Sequence, residues 1–195
     1  MQYEVGLKYA KEIVEILRPY TSRIEIAGGI RRQKAEPHDI EIVCVPAFKN
    51  TETGQDVFGE PIFKQQNLLR PFIISCLRDG IFTEGESDKL GRKASVGWRY
   101  YRLKYKGEKL DIFVVLPPAQ WGVLFMFRTG DADFSHWLMS SGWSKGIRFI
   151  EAGVVQNNKR IDTPEEEDVF QVLGLPWIDP HERNKEKTLE LSKNF

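Results

Sequence analysis

The chain has 195 residues, long enough to bury a sizeable core, and its 28 Lys and Arg balance 28 Asp and Glu. That balance excludes a general field for polyanions, so any nucleic-acid binding must come from local patches. No charged-then-apolar leader is present and no apolar run approaches the roughly eighteen residues that span a bilayer, so the sequence predicts a soluble, intracellular monomer with no membrane association.

Val5, Tyr9, Ile13, Val14, Ile16 and Leu17 fall near helical spacing, and Pro19 closes that first helix. Arg23–Ala27 reads as a short alternating strand ending in Gly28-Gly29, a turn whose backbone can approach an anion, with Arg31 and Arg32 following. Residues 39–45 form the next strand. Side chains alternate there and each residue advances about 3.3 Å, so Asp39 and Glu41 share a face with Cα atoms roughly 7 Å apart, while Ile40 and Ile42 turn to the core. An acidic pair on a strand is ordinarily just its wet face. Here a glycine turn and a basic pair precede it, and a third acid, Asp111, follows in the run Lys109–Val114. Hard oxygen donors of this kind suit two Mg²⁺ or Mn²⁺ ions about 3.5–4 Å apart, an arrangement for in-line displacement at phosphorus.

Pro46, Gly54, Gly59 and Pro61 make residues 46–64 a predicted loop, followed by a helix from about Gln66 to Arg78 with Pro71 in its first turn and Gly80 at its end. Residues 98–105 alternate and turn at Lys106-Gly107-Glu108 into the strand carrying Asp111. Tyr101, Leu103 and Tyr105 share one face; Trp98, Tyr100, Arg102 and Lys104 share the other. That second face reads equally as a gatekept exposed strand and as a basic, aromatic surface for nucleic acid. Eight bases, including Lys89, Arg92, Lys93, Arg102, Lys104 and Lys109, stand in residues 89–109 against the one acid Glu108, whereas residues 162–168 hold five acids and no base.

Pro117-Pro118 marks a boundary. Beyond it the pattern predicts helices over about 119–128 and 132–142 with a break at Thr129-Gly130, a strand pair over 147–151 and 153–156, and a helix over 165–173 begun by acids that suit its dipole. Cys44 and Cys76 lack metal-ligand spacing and read as buried thiols. Trp121, Trp137, Trp143 and Trp177 read as packing residues, and His136 and His181 as surface ones.

The ordered set resembles the family X DNA polymerases, the group of DNA polymerase beta. Gly28-Gly29-Ile30-Arg31-Arg32 resembles the family's Gly-Ser-x-Arg-Arg turn, with Asp39, Glu41 and Asp111 at its three metal-binding acids. Phe127-Arg128-Thr129-Gly130-Asp131 resembles its Tyr-Phe-Thr-Gly-Ser turn against the nucleotide sugar, and the stretches 146–151 and 167–177 resemble later signatures. The resemblance implies an α+β fold, a palm of mixed sheet and helices over 1–118 and a nucleotide-selecting subdomain over 119–195. It implies a minimal polymerase without the family's lyase and helix-hairpin-helix parts.

By the same resemblance Asp39, Glu41 and Asp111 are catalytic and hold two Mg²⁺ or Mn²⁺ ions. Gly28, Gly29, Arg32, His38, Phe127, Arg128, Thr129, Gly130 and Ser135 meet the deoxynucleoside triphosphate, and Lys109, Arg102 and Lys104 meet primer-template or gapped DNA. Glu41 stands where the family has Asp, and Ser135 and Met139 stand where it reads the minor groove with Asn and Arg, so low fidelity is expected. Two alternatives share parts of this pattern: a nucleotidyltransferase with another acceptor, and a nucleic-acid-binding module weakened in catalysis.

Overall fold

The computed structural model describes residues 1–86 and 97–192. The predicted basic residues Lys89, Arg92 and Lys93 lie outside them. The first helix, α1 (Tyr3–Leu17), buries Gly6, Ala10, Ile13, Val14 and Leu17; Val5 stays on the wet side. After β1 (Thr21–Ile26) the expected glycine turn is instead a short helix, α2 (Gly28–Arg31), closed by the Lys34 amide donating to the Gly29 carbonyl at 2.9 Å. Strand β2 (Ile40–Pro46) follows, so Asp39 sits one residue before the strand predicted to contain it.

The predicted loop over 46–64 is replaced by a hairpin, β3 (Phe48–Gln55) and β4 (Pro61–Asn67), exposed along nearly its whole length. Its punctuating residues all have places a ladder tolerates. Gly54 lies at the bulge where the register shifts, Gly59 is in the connecting turn, and Pro61 opens its strand. Helix α3 (Leu69–Arg78) has Pro71 in its first turn and ends at Gly80, whose φ of +73° is left-handed.

Strands β5 (Thr83–Glu84), β6 (Tyr100–Tyr105) and β7 (Glu108–Val114) complete a five-stranded mixed sheet in the order β1-β2-β7-β6-β5, with β2 and β7 parallel and the other pairs antiparallel. One sheet face carries Ile40, Ile42, Tyr101, Leu103, Leu110 and Ile112 into a core with α1 and α3. Both cysteines are buried in that core. The opposite face is divided. Val43 and Phe113 pack on Trp121 and Phe125, while Glu41, Asp111 and Arg102, nearer the other strand ends, stay partly open.

Then come α4 (Trp121–Thr129), α5 (Ala132–Ser141), a sheet of β8 (Ile147–Ile150), β9 (Gly153–Gln156) and β10 (Lys159–Ile161), α6 (Glu166–Leu173) and α7 (Lys185–Ser192). Strand β10 and helix α7 were not anticipated. Asp131 caps α5 by accepting the Phe134 amide at 2.8 Å, and Asp168 accepts the Glu165 amide at 2.8 Å to start α6. Val123, Met126, Phe134, Leu138, Ile147, Val154, Phe170 and Leu173 form a separate apolar core. Trp121 is buried as expected, but Trp143 is 67% exposed and Trp177 lies at the surface against Phe170. No helix among the described residues is long and apolar enough to cross a membrane.

Candidate active site

Strand register assembles the site. The parallel pairing of β2 with β7 sets Glu41 beside Asp111, and the antiparallel pairing of β6 with β7 sets Arg102 on the other side of the same aspartate. Side chains of directly paired residues point to one face, so Glu41, Asp111 and Arg102 form a row across the sheet, with Asp39 leading into β2.

Glu41 is held in a tight place. A Cβ on Gly28 would lie 1.8 Å from its Oε2, and Gly28 has φ +61°, so glycine is required there both for conformation and for the carboxylate's room. Burial, then the nearby Asp39, pushes the Glu41 carboxyl up to about 7, with Asp111 adding to the effect and Arg128 and Arg32 opposing it. Burial and Asp39 likewise raise Asp111, against a hydrogen bond from Tyr100 that lowers it. A carboxyl raised on folding binds its proton more tightly in the folded chain. Its contribution is therefore favourable at low pH and is lost as pH rises from the unfolded value of 4.5 through about 7. In chelator-treated protein, Glu41→Gln should remove this loss, stabilising the chain by at most about 3 kcal/mol at pH 8 and little at pH 4.5. Urea unfolding of both proteins at the two pH values checks it; equal stability changes at both would refute it.

Asp111 is oriented from β6. The Tyr100 hydroxyl donates to its Oδ1 at 2.7 Å, Arg102 Nε donates to the Tyr100 oxygen at 3.0 Å, and the Arg102 Nε to Asp111 separation is 4.0 Å. Among the described residues, no three His, Cys, Asp or Glu side chains are drawn close enough to cage an ion as they stand. The carboxylates thus share an electrostatic neighbourhood without closing on the single point the sequence suggested. Their chemistry still fits a divalent ion. All three donors are hard oxygens, and the partly buried Glu41 and Asp111 are both raised by burial and by the neighbouring Asp39, an effect that a cation would offset.

A cleft of about 670 Å³ opens beside this row, walled by Glu41, Asp111, Tyr100, Phe113, Leu124 and Glu151, with Arg99, Arg102 and Arg128 at its edges. Arg128 lies over the Phe113 ring, 3.9 Å from its centroid. A smaller depression of about 230 Å³ on the other side of Arg102 and Asp111 is lined by Asp39, Glu86 and Lys109. Lys109 and Lys104 both pair there with Glu86, at 3.5 and 3.1 Å.

The remaining candidate residues are placed differently. Arg32 donates to the Thr129 carbonyl, and exposed His38 meets Lys34 at 3.1 Å. Gly28 and Gly29 are buried, and a Cβ on Gly29 would meet Pro37 at 3.4 Å. Phe127 packs edge-on against Phe149 in the C-terminal core, Thr129 is fully buried, and Ser135 donates to the Phe127 carbonyl at 3.1 Å, above Gly130. Of the proposed nucleotide contacts, Arg128 is the one that lines the cleft among the described residues.

Sequence reasoning missed two features. Tyr100 was assigned only to a surface, although a two-residue turn at Lys106-Gly107 pairs Arg102 with Asp111 and brings Tyr100 diagonally within reach. Arg31, treated as half of a basic pair, instead reaches Glu166 through both nitrogens at 2.9 and 2.6 Å and Thr129 Oγ1 at 2.7 Å, with its guanidinium 3.8 Å from the Phe125 centroid. Arg183 closes on the same Glu166. Nearby, Arg23 grips Glu165 at 2.7 and 2.6 Å over Trp121. These contacts fasten α4 and α6 to the five-stranded sheet, beside the site.

Comparison with known proteins agrees with this architecture. Residues 124–184 match the DNA polymerase beta thumb family. DNA polymerase lambda of Rattus norvegicus is 27% identical over 94% of this chain and 35% of its own length; that of Arabidopsis thaliana is 26% identical over 83% of this chain and 32% of its own. The chain spans about a third of the length of these curated relatives. A thumb match set on a polymerase beta-like α+β fold, with polymerase relatives aligned along most of the sequence, makes this chain similar to the DNA polymerases of family X.

Proposed function

We propose that this chain transfers nucleotides from deoxynucleoside triphosphates to a primer 3′-hydroxyl on DNA, in short gap filling of low fidelity during repair. One observation carries the reading: Glu41 and Asp111 are paired across parallel strands, with Asp39 adjoining, on a partly open stretch of the sheet beside a cleft lined by arginines. In this reading residues 1–118 are the catalytic palm and 119–195 select the nucleotide.

Asp39, Glu41 and Asp111 would hold two Mg²⁺ or Mn²⁺ ions, which when bound neutralise triphosphate charge and acidify the primer hydroxyl. The chain's own side chains bind and orient the reactants. Arg102 and Arg128 supply positive charge for phosphate oxygens, and Arg99 adds to the field while its two terminal nitrogens hold the Leu116 and Pro117 carbonyls. Tyr100, Phe113 and Leu124 offer an apolar wall that excludes water from one side of the cleft. Lys109 and Lys104, on the opposite side of Asp111, suit the primer backbone. Ser135 already spends its hydroxyl on the Phe127 carbonyl and Met139 offers no hydrogen-bond donor, which supports weak checking of the base pair.

Primer extension on a one-nucleotide gap, with each nucleotide opposite each template base and with Mg²⁺ then Mn²⁺, tests the proposal. Metal-dependent incorporation that tolerates mispairs is expected. Pyrophosphate release only with an RNA, protein or small-molecule acceptor would move the assignment to another nucleotidyl transfer. No metal-dependent nucleotide affinity would leave a binding module.

A further inference from the structure

We infer that Tyr100 is a positioning residue for the third carboxylate: braced by Arg102, it fixes the orientation of Asp111 and thereby its readiness to take a divalent ion. This rests on the reading of Asp39, Glu41 and Asp111 as ion ligands given above. The phenol is itself fixed. Its ring stacks on Phe113 at 5.0 Å between centroids and 21° between planes, and its oxygen receives the Arg102 Nε at 3.0 Å while donating to Asp111 Oδ1 at 2.7 Å. A donor whose oxygen accepts from a cation is polarised toward stronger donation.

The order of the three groups matters. An aspartate carboxyl turns easily about its last torsion, and one occupied oxygen restricts that turn, leaving the other oxygen presented in a fixed direction. Arg102 bonded directly to Asp111 would fix it too, but would also neutralise the anion and repel an incoming cation. At 4.0 Å Arg102 still attracts the carboxylate, but its Nε hydrogen bond goes to the phenol and not to either carboxylate oxygen. Orientation comes from the phenol, and the more distant Arg102 favours the ionised carboxylate. Sequence register explains why this works: β6 and β7 meet through a two-residue turn, which sets Arg102 opposite Asp111 and Tyr100 one diagonal step away.

Tyr100→Phe tests the inference, with Tyr101→Phe as control, since Tyr101 is its neighbour on the buried opposite face. Mn²⁺ binding is measured by electron paramagnetic resonance on nucleotide-free protein, and Asp111→Ala identifies the signal that belongs to the site. Tyr100→Phe is expected to weaken that Mn²⁺ affinity by about 10-fold, the usual scale for loss of a group supporting a metal ligand. Primer extension should show a similar fall in kcat with KM for the nucleotide within about twofold, partly restored by raised Mn²⁺. Tyr101→Phe should leave the Mn²⁺ affinity unchanged. Unaltered Mn²⁺ affinity in a Tyr100→Phe protein that keeps its thermal transition would overturn the inference, and so would a wild-type protein with no Asp111-dependent Mn²⁺ signal. Intact Mn²⁺ binding, weakened by Tyr100→Phe but without primer extension, would keep the positioning role and refute the polymerase reading instead.

Discussion

Asp111→Ala protein is expected to lose primer extension, with kcat/KM falling on the order of 10³-fold or more while the chain stays folded, because catalysis of this class rests on preorganised charge. The two halves of this expectation come from one fact. Burial and Asp39 raise the Asp111 carboxyl, so its ionised form is costly to the fold and is retained at the expense of stability. Truncation removes a repelling anion from beside Glu41 and leaves only the Tyr100 hydroxyl and Arg102 to find new partners at a half-open edge. Thermal stability should therefore be unchanged or slightly higher. Asp111→Asn keeps an acceptor for Tyr100 and should be as inactive, which separates the loss of charge from the loss of the hydrogen bond. Single-turnover incorporation measures the effect. A variant retaining a tenth of wild-type activity would remove Asp111 from the chemistry.

Glu166→Ala should be among the most damaging single changes to stability, although Glu166 is remote from the carboxylate row. Only 3% of Glu166 is exposed, and it receives both Arg31 and the fully buried Arg183. Removing it leaves two guanidinium groups facing each other without an anion. Breaking a buried pair by deleting one partner costs about 3–5 kcal/mol, which in a chain of this size lowers Tm by roughly 10 °C. The exposed Arg23–Glu165 pair supplies the contrast. Despite two short contacts, Glu165→Ala should cost no more than about 1 kcal/mol. Replacing Glu166, Arg31 and Arg183 together by apolar residues of similar volume should recover most of the loss. Calorimetry decides, and a Tm change for Glu166→Ala within 2 °C or so would refute the assignment of this cluster as a main fastening.

The parts of this fold that sequence reveals are those where burial imposes a period. Ile40 and Ile42, Leu110 and Ile112, Tyr101 and Leu103 alternate because one sheet face is packed, and that alternation left Glu41 and Asp111 together on the other face. The hairpin over 48–67 escaped notice for the converse reason. With both faces wet it has no apolar rhythm, and its Gly and Pro residues look like breakers until the ladder is seen. Gly28–Arg31 is too short for any helical period, and its form follows from packing beneath Pro37 and beside Glu41. Arg31, Glu166 and Arg183 meet across more than a hundred residues of chain separation between the first and second, which no local pattern encodes. The register of Arg102 on Asp111 was within reach: taking the bend at 106–107 as two residues instead of three gives it directly.

The hairpin β3–β4 begins and ends at Phe48 and Asn67, which are paired with each other. Chain therefore leaves β2 and enters α3 at neighbouring points, and the Leu68 amide donates to the Ala47 carbonyl at 3.0 Å just beneath. An appendage attached in this way can lengthen, shorten or vanish while the alignment of Glu41 with Asp111 stays as it is. Drift in that arm is thus uncoupled from drift in β2 and β7, and it offers the sheet a place to acquire new contacts without disturbing old ones.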